Sequence, residues 1–163
     1  MSLSESFSVL RPHIDEATTT ALARLLARAG ATPRSAAFSE AVVSSAEGGK
    51  RFRALMAHVG WSLSSGRPLS EAHLPHLAAA LELYQASALV HDDIIDHADE
   101  RRGAPTPHRR LADLHRGAGW IGTSETFGRN AAILVGDFLF SAASAEADEQ
   151  ALDLPGANAR AFA

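Results

Sequence analysis

The segment Leu89-Val-His-Asp-Asp-Ile-Ile-Asp-His-Ala-Asp-Glu-Arg-Arg-Gly103 places carboxylates and arginines at the end of an otherwise apolar stretch. Asp92 and Asp96 are four residues apart, so in a helix both side chains lie on one face, one turn apart. Two carboxylates at this spacing can hold a hard divalent cation together. Arg101 and Arg102 follow past the expected helix end, and a guanidinium pair beside a metal site favours a phosphate or diphosphate. The apolar residues upstream predict a ligand with a charged head and an apolar tail.

Five acidic residues crowd the expected C-terminal end of this helix: Asp92, Asp93, Asp96, Asp99 and Glu100. The helix macrodipole opposes negative charge at that end. The simplest explanation is a frayed helix end whose aspartates are solvated. A fold accepts such a conflict more readily where a cation relieves it, and the arginine pair that follows makes us favour a functional site.

The bulk composition narrows the class of protein. The chain has 163 residues, of which 46% are hydrophobic, and this predicts a single domain over residues 1–163. Its net charge of −4 argues against a general nucleic-acid binder. The absence of cysteine excludes disulfides and thiolate metal sites, and no secretory signal or apolar run long enough to cross a bilayer is visible. We therefore expect a cytoplasmic protein without a transmembrane segment.

Alanine is abundant, strand-like alternation is absent and Gly or Pro recurs at helix-length intervals, so the sequence predicts an all-α fold. The predicted helices run from near Pro12 to Gly30, from near Pro33 to Gly48-Gly49, from Lys50 to Ser65, from a cap at Ser70 to Ala98, from His108 to Arg116, and from Ser124 to Gln150. Gly103, Pro105 and Pro107 predict an irregular loop, and Pro155-Gly156 ends the regular pattern.

A second basic cluster lies at Gly48-Gly49-Lys50-Arg51-Phe52-Arg53. Two glycines end one predicted helix and open the next, and Lys50 and Arg53 are three residues apart on one face. The first turn of the new helix exposes N–H groups of positive partial charge, so the segment predicts an anion site. The alternative is a glycine turn followed by ordinary surface cations. We expect Phe52 to pack into the core and to fix the directions of Lys50 and Arg53.

Gly136 and Asp137 stand out within an apolar helical segment. A glycine inside a helix costs about 1 kcal/mol relative to alanine, and close helix packing is the usual reason for one. Asp137 in such a setting needs a partner or a cavity. His91 and His97 flank the aspartates of the opening segment, and we treat them as neighbours rather than metal ligands.

Taken together, these motifs resemble the trans-type polyprenyl diphosphate synthases, the family that includes farnesyl and geranylgeranyl diphosphate synthases, in their N-terminal half. The residues that carry the resemblance are Gly48 to Arg53, Leu89 to Asp96, Arg101 to Thr106, and Gly136-Asp137. The resemblance implies an isoprenoid-synthase-type helical bundle around a central cavity. It also implies a homodimeric prenyltransferase that joins isopentenyl diphosphate to an allylic diphosphate.

The resemblance also implies roles for individual residues. Asp92 and Asp96 would bind Mg²⁺ ions that bridge to the allylic diphosphate, and Arg101 would contact the same diphosphate. The residues expected to hold isopentenyl diphosphate are Lys50, Arg53, Gln85 and Arg102. No side-chain nucleophile is expected, because the reaction proceeds by loss of diphosphate and attack of a double bond on the allylic cation.

The length of the product is expected to depend on residues that precede Asp92 in the helix. Ala88 lies one turn before Asp92 and Ser87 is beside it; in the family, bulky residues there block the growing tail. Both are small here, and Tyr84, two turns before Asp92, is expected to form the floor that stops the growing tail. We therefore expect a product of geranylgeranyl length or slightly longer. The alternative is that Tyr84 packs in a helix interface.

The sequence departs from the family pattern at two places. Ala54 follows Arg53 where the family usually has proline, a minor change. No second aspartate-rich motif follows Asp137, so we expect a bundle that is incomplete at its C-terminal end and a chain with little activity alone. A terpene cyclase and a non-catalytic partner of a full-length synthase are the alternatives. Lys50, Arg53 and Arg102 argue against the cyclase, and the intact aspartates argue against the partner.

Overall fold

The computed structural model describes residues 3–30, 32 and 35–153. These residues form helices α1 (Leu3–Arg28), α2 (Ala36–Ala46), α3 (Phe52–Ser65), α4 (Pro75–Ile95), α5 (Pro107–Gly117) and α6 (Ser124–Asp153). A 3₁₀ turn at Leu69–Glu71 precedes α4, and the short strands β1 (Glu100–Arg101) and β2 (Ala104–Pro105) form an antiparallel pair. The predicted all-α class is confirmed. The expected boundaries at Pro33 and Pro155-Gly156 lie outside the described residues.

The predicted start of the first helix near Pro12 is wrong, because α1 begins at Leu3 and Pro12 lies inside it. Proline removes one helical hydrogen bond. Leu10 and Ile14 are buried in the core and Phe7 packs against them, all at helical spacing. Burial of this apolar stripe outweighs the local cost of the proline, as tertiary packing commonly does for helices.

The predicted cap at Ser70 is also wrong, because Ser70 belongs to the 3₁₀ turn and α4 begins at Pro75. The residue before a proline is disfavoured in the helical region, so Leu74 cannot easily continue a helix from Ser70 into Pro75. At its other end α4 stops at Ile95, three residues short of the predicted Ala98.

The other helix ends that were predicted at glycines are largely right, and so are the bounds predicted for the later helices. α3 stops at Ser65, and Gly66 adopts the left-handed conformation at φ 68° that commonly ends a helix. α5 and α6 each lie within a few residues of their predicted bounds. The segment expected to be an irregular loop instead forms the β1–β2 hairpin. Its turn residues Arg102 and Gly103 both have positive φ, as a two-residue hairpin turn requires.

The chain divides into two compact units. The first unit comprises the described residues of 1–25, 48–83 and 142–163. Its core contains Leu10, Ile14, Ala54, Leu55 and Ala78. On its surface the guanidinium of Arg67 lies 5.3 Å from the ring centroid of Trp61, a cation–π contact.

The second unit comprises the described residues of 26–47 and 84–141. The rings of Phe38 and Phe138 pack edge to face with centroids 6.0 Å apart. Another aromatic group joins α5, the following loop and α6, where the Trp120 ring contacts both His115 and Phe127. The prediction of a single domain over residues 1–163 stays a prediction.

Gly128 marks a close approach of α5 and α6 within the second unit. A Cβ atom at Gly128 would lie 2.8 Å from both the backbone nitrogen and the Cβ of Ala112, and closer still to the carbonyl oxygen of His108. Real Cβ atoms do not make such contacts, so only glycine fits at this position. Within the described part of the chain, no helix is long and apolar enough to cross a membrane.

Candidate functional site

The acidic end of α4 presents two of its aspartates to solvent and buries a third. Asp92 and Asp96 are exposed, and the backbone N–H of Asp96 donates to the carbonyl oxygen of Asp92 at 2.8 Å. This bond keeps the two side chains one helical turn apart, as the sequence predicts. Asp93, by contrast, is only 2% exposed. One carboxylate pair therefore remains available to a ligand while the third carboxylate belongs to the interior.

Arg101 connects the buried aspartate to the exposed pair. Its Nε donates to Oδ1 of Asp93 at 2.7 Å, and its Nη2 lies 3.2 Å from Oδ2 of Asp92. Because Asp93 is buried, its ion pair is poorly screened and fixes the guanidinium strongly. Sequence reasoning missed Asp93 as an anchor. The helical period gives the one available signal, because it turns Asp93 about 100° away from Asp92.

The hairpin that carries Arg101 is closed by Thr106. The buried hydroxyl of Thr106 donates to the carbonyl oxygen of Ala98 at 2.8 Å, and its N–H donates to the carbonyl oxygen of Asp99 at 3.0 Å. Arg109 of α5 adds a bond from Nε to Oδ1 of Asp99 at 2.6 Å. These bonds tie the end of α4 to the start of α5, so the backbone bearing Arg101 is held on both sides.

Arg102, at the tip of the hairpin, is exposed and donates from Nη1 to the carbonyl oxygen of Glu47 at 2.9 Å. Glu47 directly follows the last residue of α2, and no pattern in the sequence indicates that it contacts Arg102. The adjacent arginines therefore differ in their surroundings. Arg101 is fixed by a buried carboxylate, whereas Arg102 is exposed and donates to the backbone oxygen of Glu47.

The imidazole of His108, in the first turn of α5, lies near these charges. Burial lowers the pKa of His108, the positive charge of Arg109 lowers it further, and Asp93 and Asp99 oppose both effects. Its Nδ1 is buried without a hydrogen-bond partner among the described residues. The lowered pKa of His108 favours its neutral form beside the aspartates.

α4 and α6 approach closely within the second unit. A Cβ atom at Gly136 would lie 2.5 Å from Cε1 and Nε2 of His91, so this glycine leaves room for the imidazole of His91. The hydroxyl of Ser87 donates to the carbonyl oxygen of Gly136 at 2.8 Å. The carboxylate of Asp137 is exposed, so it does not require the partner or cavity that its apolar surroundings in the sequence predict; Nε2 of His91 lies 3.5 Å from its Oδ1.

The three residues expected to set product length lie in two different surroundings. Ser87 is buried against α6, as its bond to Gly136 requires. Tyr84 and Ala88 are exposed and share the helical face of Asp92 at intervals of four residues. The ring of Tyr84 is 55% exposed and lies 6.0 Å from the ring of Phe140 on α6. Gln85, beside Tyr84, is partly exposed.

The glycine-rich segment before α3 belongs to the first unit and differs from expectation. Phe52 is 62% exposed, so the prediction that it packs into the core is wrong. The buried residue is Arg51, at 7% exposure, which pairs with Asp15 and Glu82. Lys50 and Arg53 are both exposed. Arg51 can occupy the interior position because the carboxylates of Asp15 and Glu82 satisfy its charge there.

The first unit also contains a mostly apolar cavity of about 400 Å³. The buried carboxylate of Glu146 lines it and pairs with Arg24 and with Nδ1 of His76, the latter at 2.8 Å. Because two basic side chains already hold this carboxylate, the cavity is a poor candidate for a cation site.

The donor set at the end of α4 suits a hard divalent cation whose shell is completed by other oxygens. Asp92 and Asp96 supply two exposed carboxylates, and Mg²⁺ commonly binds through one or two carboxylates, water and substrate phosphates. Among the described residues, no group of three or more His, Cys, Asp or Glu side chains is placed to hold a metal ion. A cation here would therefore depend on ligands that the described side chains do not provide.

Comparison with known proteins gives consistent matches. Residues 35–159 match the polyprenyl synthetase family. Solanesyl diphosphate synthase 1, chloroplastic, of Arabidopsis thaliana is 35% identical over 101 residues, which are 60% of this chain and 21% of that protein. The short chain isoprenyl diphosphate synthase of Methanocaldococcus jannaschii is 38% identical over 96 residues, 59% of this chain and 24% of that protein.

One solved structure is similar over most of the chain. It is the geranylgeranyl pyrophosphate synthase from Corynebacterium glutamicum, crystallised in complex with isoprenyl diphosphate and magnesium. The TM-score is 0.68 and the sequence identity is 32%, over 92% of this chain and 42% of that one. The chain therefore spans less than half the length of that protein, and its matches span about a quarter or less of the two curated relatives.

Proposed function

Because this chain belongs to the polyprenyl synthetase family, we propose that it carries part of a prenyltransferase site that joins isopentenyl diphosphate to an allylic diphosphate. The predicted isoprenoid-synthase-type fold is confirmed by the structural similarity. The observation that carries the proposal is the end of α4, where Asp92 and Asp96 face solvent and Arg101 reaches Asp92 at 3.2 Å. Relatives named as prenyl diphosphate synthases support this choice of reaction.

The proposed chemistry asks little of the side chains beyond binding and electrostatics. Asp92 and Asp96 would hold Mg²⁺, which when bound neutralises negative charge on a leaving diphosphate. Arg101, anchored by the buried Asp93, would donate to the same diphosphate as its charge develops. No side-chain nucleophile is needed, because the carbon–oxygen bond to diphosphate breaks and the double bond of the second substrate attacks the resulting cation.

The second substrate, isopentenyl diphosphate, is assigned to a separate set of residues. Lys50 and Arg53 are the proposed contacts within the first unit. The roles expected for Gln85 and Arg102 stay predictions. Lys50, Arg53 and Arg102 are exposed cations, as a diphosphate ligand requires. The backbone N–H of Ala54 in the first turn of α3 already meets Glu82 at 3.4 Å. The anion would therefore be held by cationic side chains rather than by that N–H group.

Binding of an unreactive substrate analogue tests the proposal directly. We expect the purified chain to bind an allylic thiodiphosphate in the presence of Mg²⁺ and to lose most of that binding in EDTA, as measured by isothermal titration calorimetry. Elongation should be weak or absent, since the described residues supply only one exposed pair of aspartates at this site. Equal affinity in Mg²⁺ and in EDTA would contradict the proposal. A product formed without isopentenyl diphosphate would favour a terpene cyclase.

Product length is proposed to depend on Tyr84, because its exposed ring follows Ala88 and Asp92 along one face of α4. Replacement of Tyr84 by alanine removes bulk from that face. We expect affinity for the geranylgeranyl thiodiphosphate to rise about fivefold relative to the geranyl analogue, from roughly 1 kcal/mol of added apolar contact. Calorimetric titration of both analogues measures the ratio.

The Tyr84→Phe variant is the matched control, since it keeps the ring and its contact with Phe140. It should retain the ratio of the wild-type chain. An unchanged preference in Tyr84→Ala would mean that the ring packs against Phe140 without limiting the tail. The homodimer and the cytoplasmic location expected from the sequence stay predictions.

A further inference from the structure

The backbone before α3 adopts an unfavourable conformation that its surroundings must maintain. Gly48 and Gly49 have φ values of 71° and 94°, which glycine adopts readily. Arg51 has a φ of 52°, in the left-handed region that residues with a Cβ seldom occupy. Such a conformation persists only where neighbouring groups determine it, and it is often found at binding sites.

Glu82 of α4 is the buried group that holds this turn. Its Oε2 accepts a bond from Nη1 of Arg51 at 3.2 Å, and its Oε1 lies 3.4 Å from the backbone nitrogen of Ala54. One carboxylate thus contacts both the left-handed residue and the first turn of α3. Asp15 of α1 also accepts a hydrogen bond from Nε of Arg51, at 2.6 Å. Its side chain is half exposed, however, whereas that of Glu82 is only 8% exposed.

Burial of Arg51 decides which side chains of the segment face outward. Arg51 points into the first unit, while Lys50 and Arg53 remain exposed. The carbonyl oxygen of Lys50 also accepts a bond from Nη2 of Arg11 at 3.2 Å. The backbone is therefore fixed on both sides of Arg51. Because of this, the exposed side chains of Lys50 and Arg53 extend from well-defined backbone positions.

We infer that Glu82 is a positioning residue for the anion site of Lys50 and Arg53, acting through Arg51 and the first turn of α3. The inference rests on the proposed function, which gives this site isopentenyl diphosphate as its ligand. Glu82 itself is negative and buried, so it does not contact the diphosphate. Its effect is to hold the backbone from which the two cations reach the ligand.

The test compares Glu82→Gln with Asp15→Asn, two acid-to-amide changes on partners of the same arginine. We expect Glu82→Gln to weaken isopentenyl diphosphate binding about tenfold, because small misplacement of binding groups is costly. Asp15→Asn, at a half-exposed position, should change it less than about twofold, since exposed ion pairs contribute little. Isothermal titration calorimetry on the purified chain gives both affinities, with thermal unfolding recorded for each variant.

A second ligand separates positioning from a general loss of structure. The Mg²⁺-dependent allylic thiodiphosphate uses Asp92 and Asp96, so its affinity should be the same in Glu82→Gln as in the wild-type chain. Equal losses for both ligands would overturn the inference and leave Glu82 a purely structural residue. If Glu82→Gln does not fold, Glu82→Asp keeps the charge on a shorter side chain and should show the same selective loss.

The outcomes distinguish this inference from the proposed function. If the wild-type chain binds isopentenyl diphosphate and Glu82→Gln binds it equally well, the inference fails and the proposed function stands. If the wild-type chain does not bind isopentenyl diphosphate at all, the assigned site fails and the inference falls with it. A selective loss in Glu82→Gln, absent from Asp15→Asn, supports both.

Discussion

Replacing both Asp92 and Asp96 by asparagine should abolish Mg²⁺-dependent binding of an allylic thiodiphosphate, with a loss of about 100-fold or more in affinity. Asparagine keeps the size of the side chain and an oxygen, but it removes the negative charge that a hard cation requires. Both aspartates are exposed, so the double change should leave the fold intact. Each single replacement should cost about tenfold, the loss expected for a charge-assisted contact of about 1.5 kcal/mol.

Asp99 offers a matched control within the same acidic segment. Its exposed carboxylate pairs with Arg109 of α5. Asp99→Asn should therefore leave binding within about twofold, because an exposed ion pair contributes little. Calorimetric titrations of the wild-type chain and the four variants, all at one Mg²⁺ concentration, measure these affinities. Equal losses in Asp99→Asn and Asp92→Asn would show that the net charge of the segment matters and that no specific carboxylate pair exists.

Replacing Gly128 by alanine should destabilise the chain by about 2 kcal/mol, and by up to about 3, because α5 and α6 must separate to admit a methyl group. The neighbours of the added Cβ atom are the backbone of Ala112 and the carbonyl oxygen of His108, which are fixed within α5. Alanine favours a helix by about 1 kcal/mol over glycine, and the stated loss is what remains after that gain. Thermal unfolding should show a midpoint lowered by roughly 6 °C.

Gly60→Ala is the matched control for this change. Gly60 also lies inside a helix, α3, but a Cβ atom there would meet nothing within 4 Å. The same chemical change should therefore stabilise the chain by about 0.5–1 kcal/mol through helix propensity alone. Unfolding midpoints that move in the same direction for both variants would contradict the close approach of α5 and α6.

Features that depend on near neighbours in sequence were predicted well. The spacing of Asp92 and Asp96 follows from the helical period, and the end of α3 before Gly66 follows from the conformational freedom of glycine. The resemblance to a known family assigns roles to residues whose partners are distant in sequence, which rules based on near neighbours cannot do. The all-α class needed only the alanine content and the spacing of the helix breakers.

Features that depend on distant partners were missed. Hydrophobicity ranks phenylalanine far above arginine for burial, so the sequence favours Phe52 over Arg51 for the interior. The order reverses because Asp15 and Glu82, which lie 36 and 31 residues away in sequence, both reach Arg51. Local reading of the sequence gives no means of pairing these charges. Pro12 illustrates the same limit, since packing of α1 overrides a residue that usually marks a helix start.

The site at the end of α4 combines both situations. Its exposed pair was read directly from the sequence, but the buried Asp93 and the closing bonds of Thr106 were not. Doubled aspartates look alike in sequence, and only the surrounding helices decide which one is solvated. Gly128 was overlooked for a similar reason, because its close neighbour belongs to another helix, whereas Gly136 drew notice through the apolar residues around it.

The two tryptophans of the chain fall in different compact units, Trp61 in the first and Trp120 in the second. Each therefore provides a native fluorophore for one unit alone. The guanidinium of Arg67 lies over the Trp61 ring, and the rings of His115 and Phe127 contact that of Trp120. In a pair of single-tryptophan variants, coincident denaturation curves would indicate one cooperative folding unit, and separated curves would indicate two.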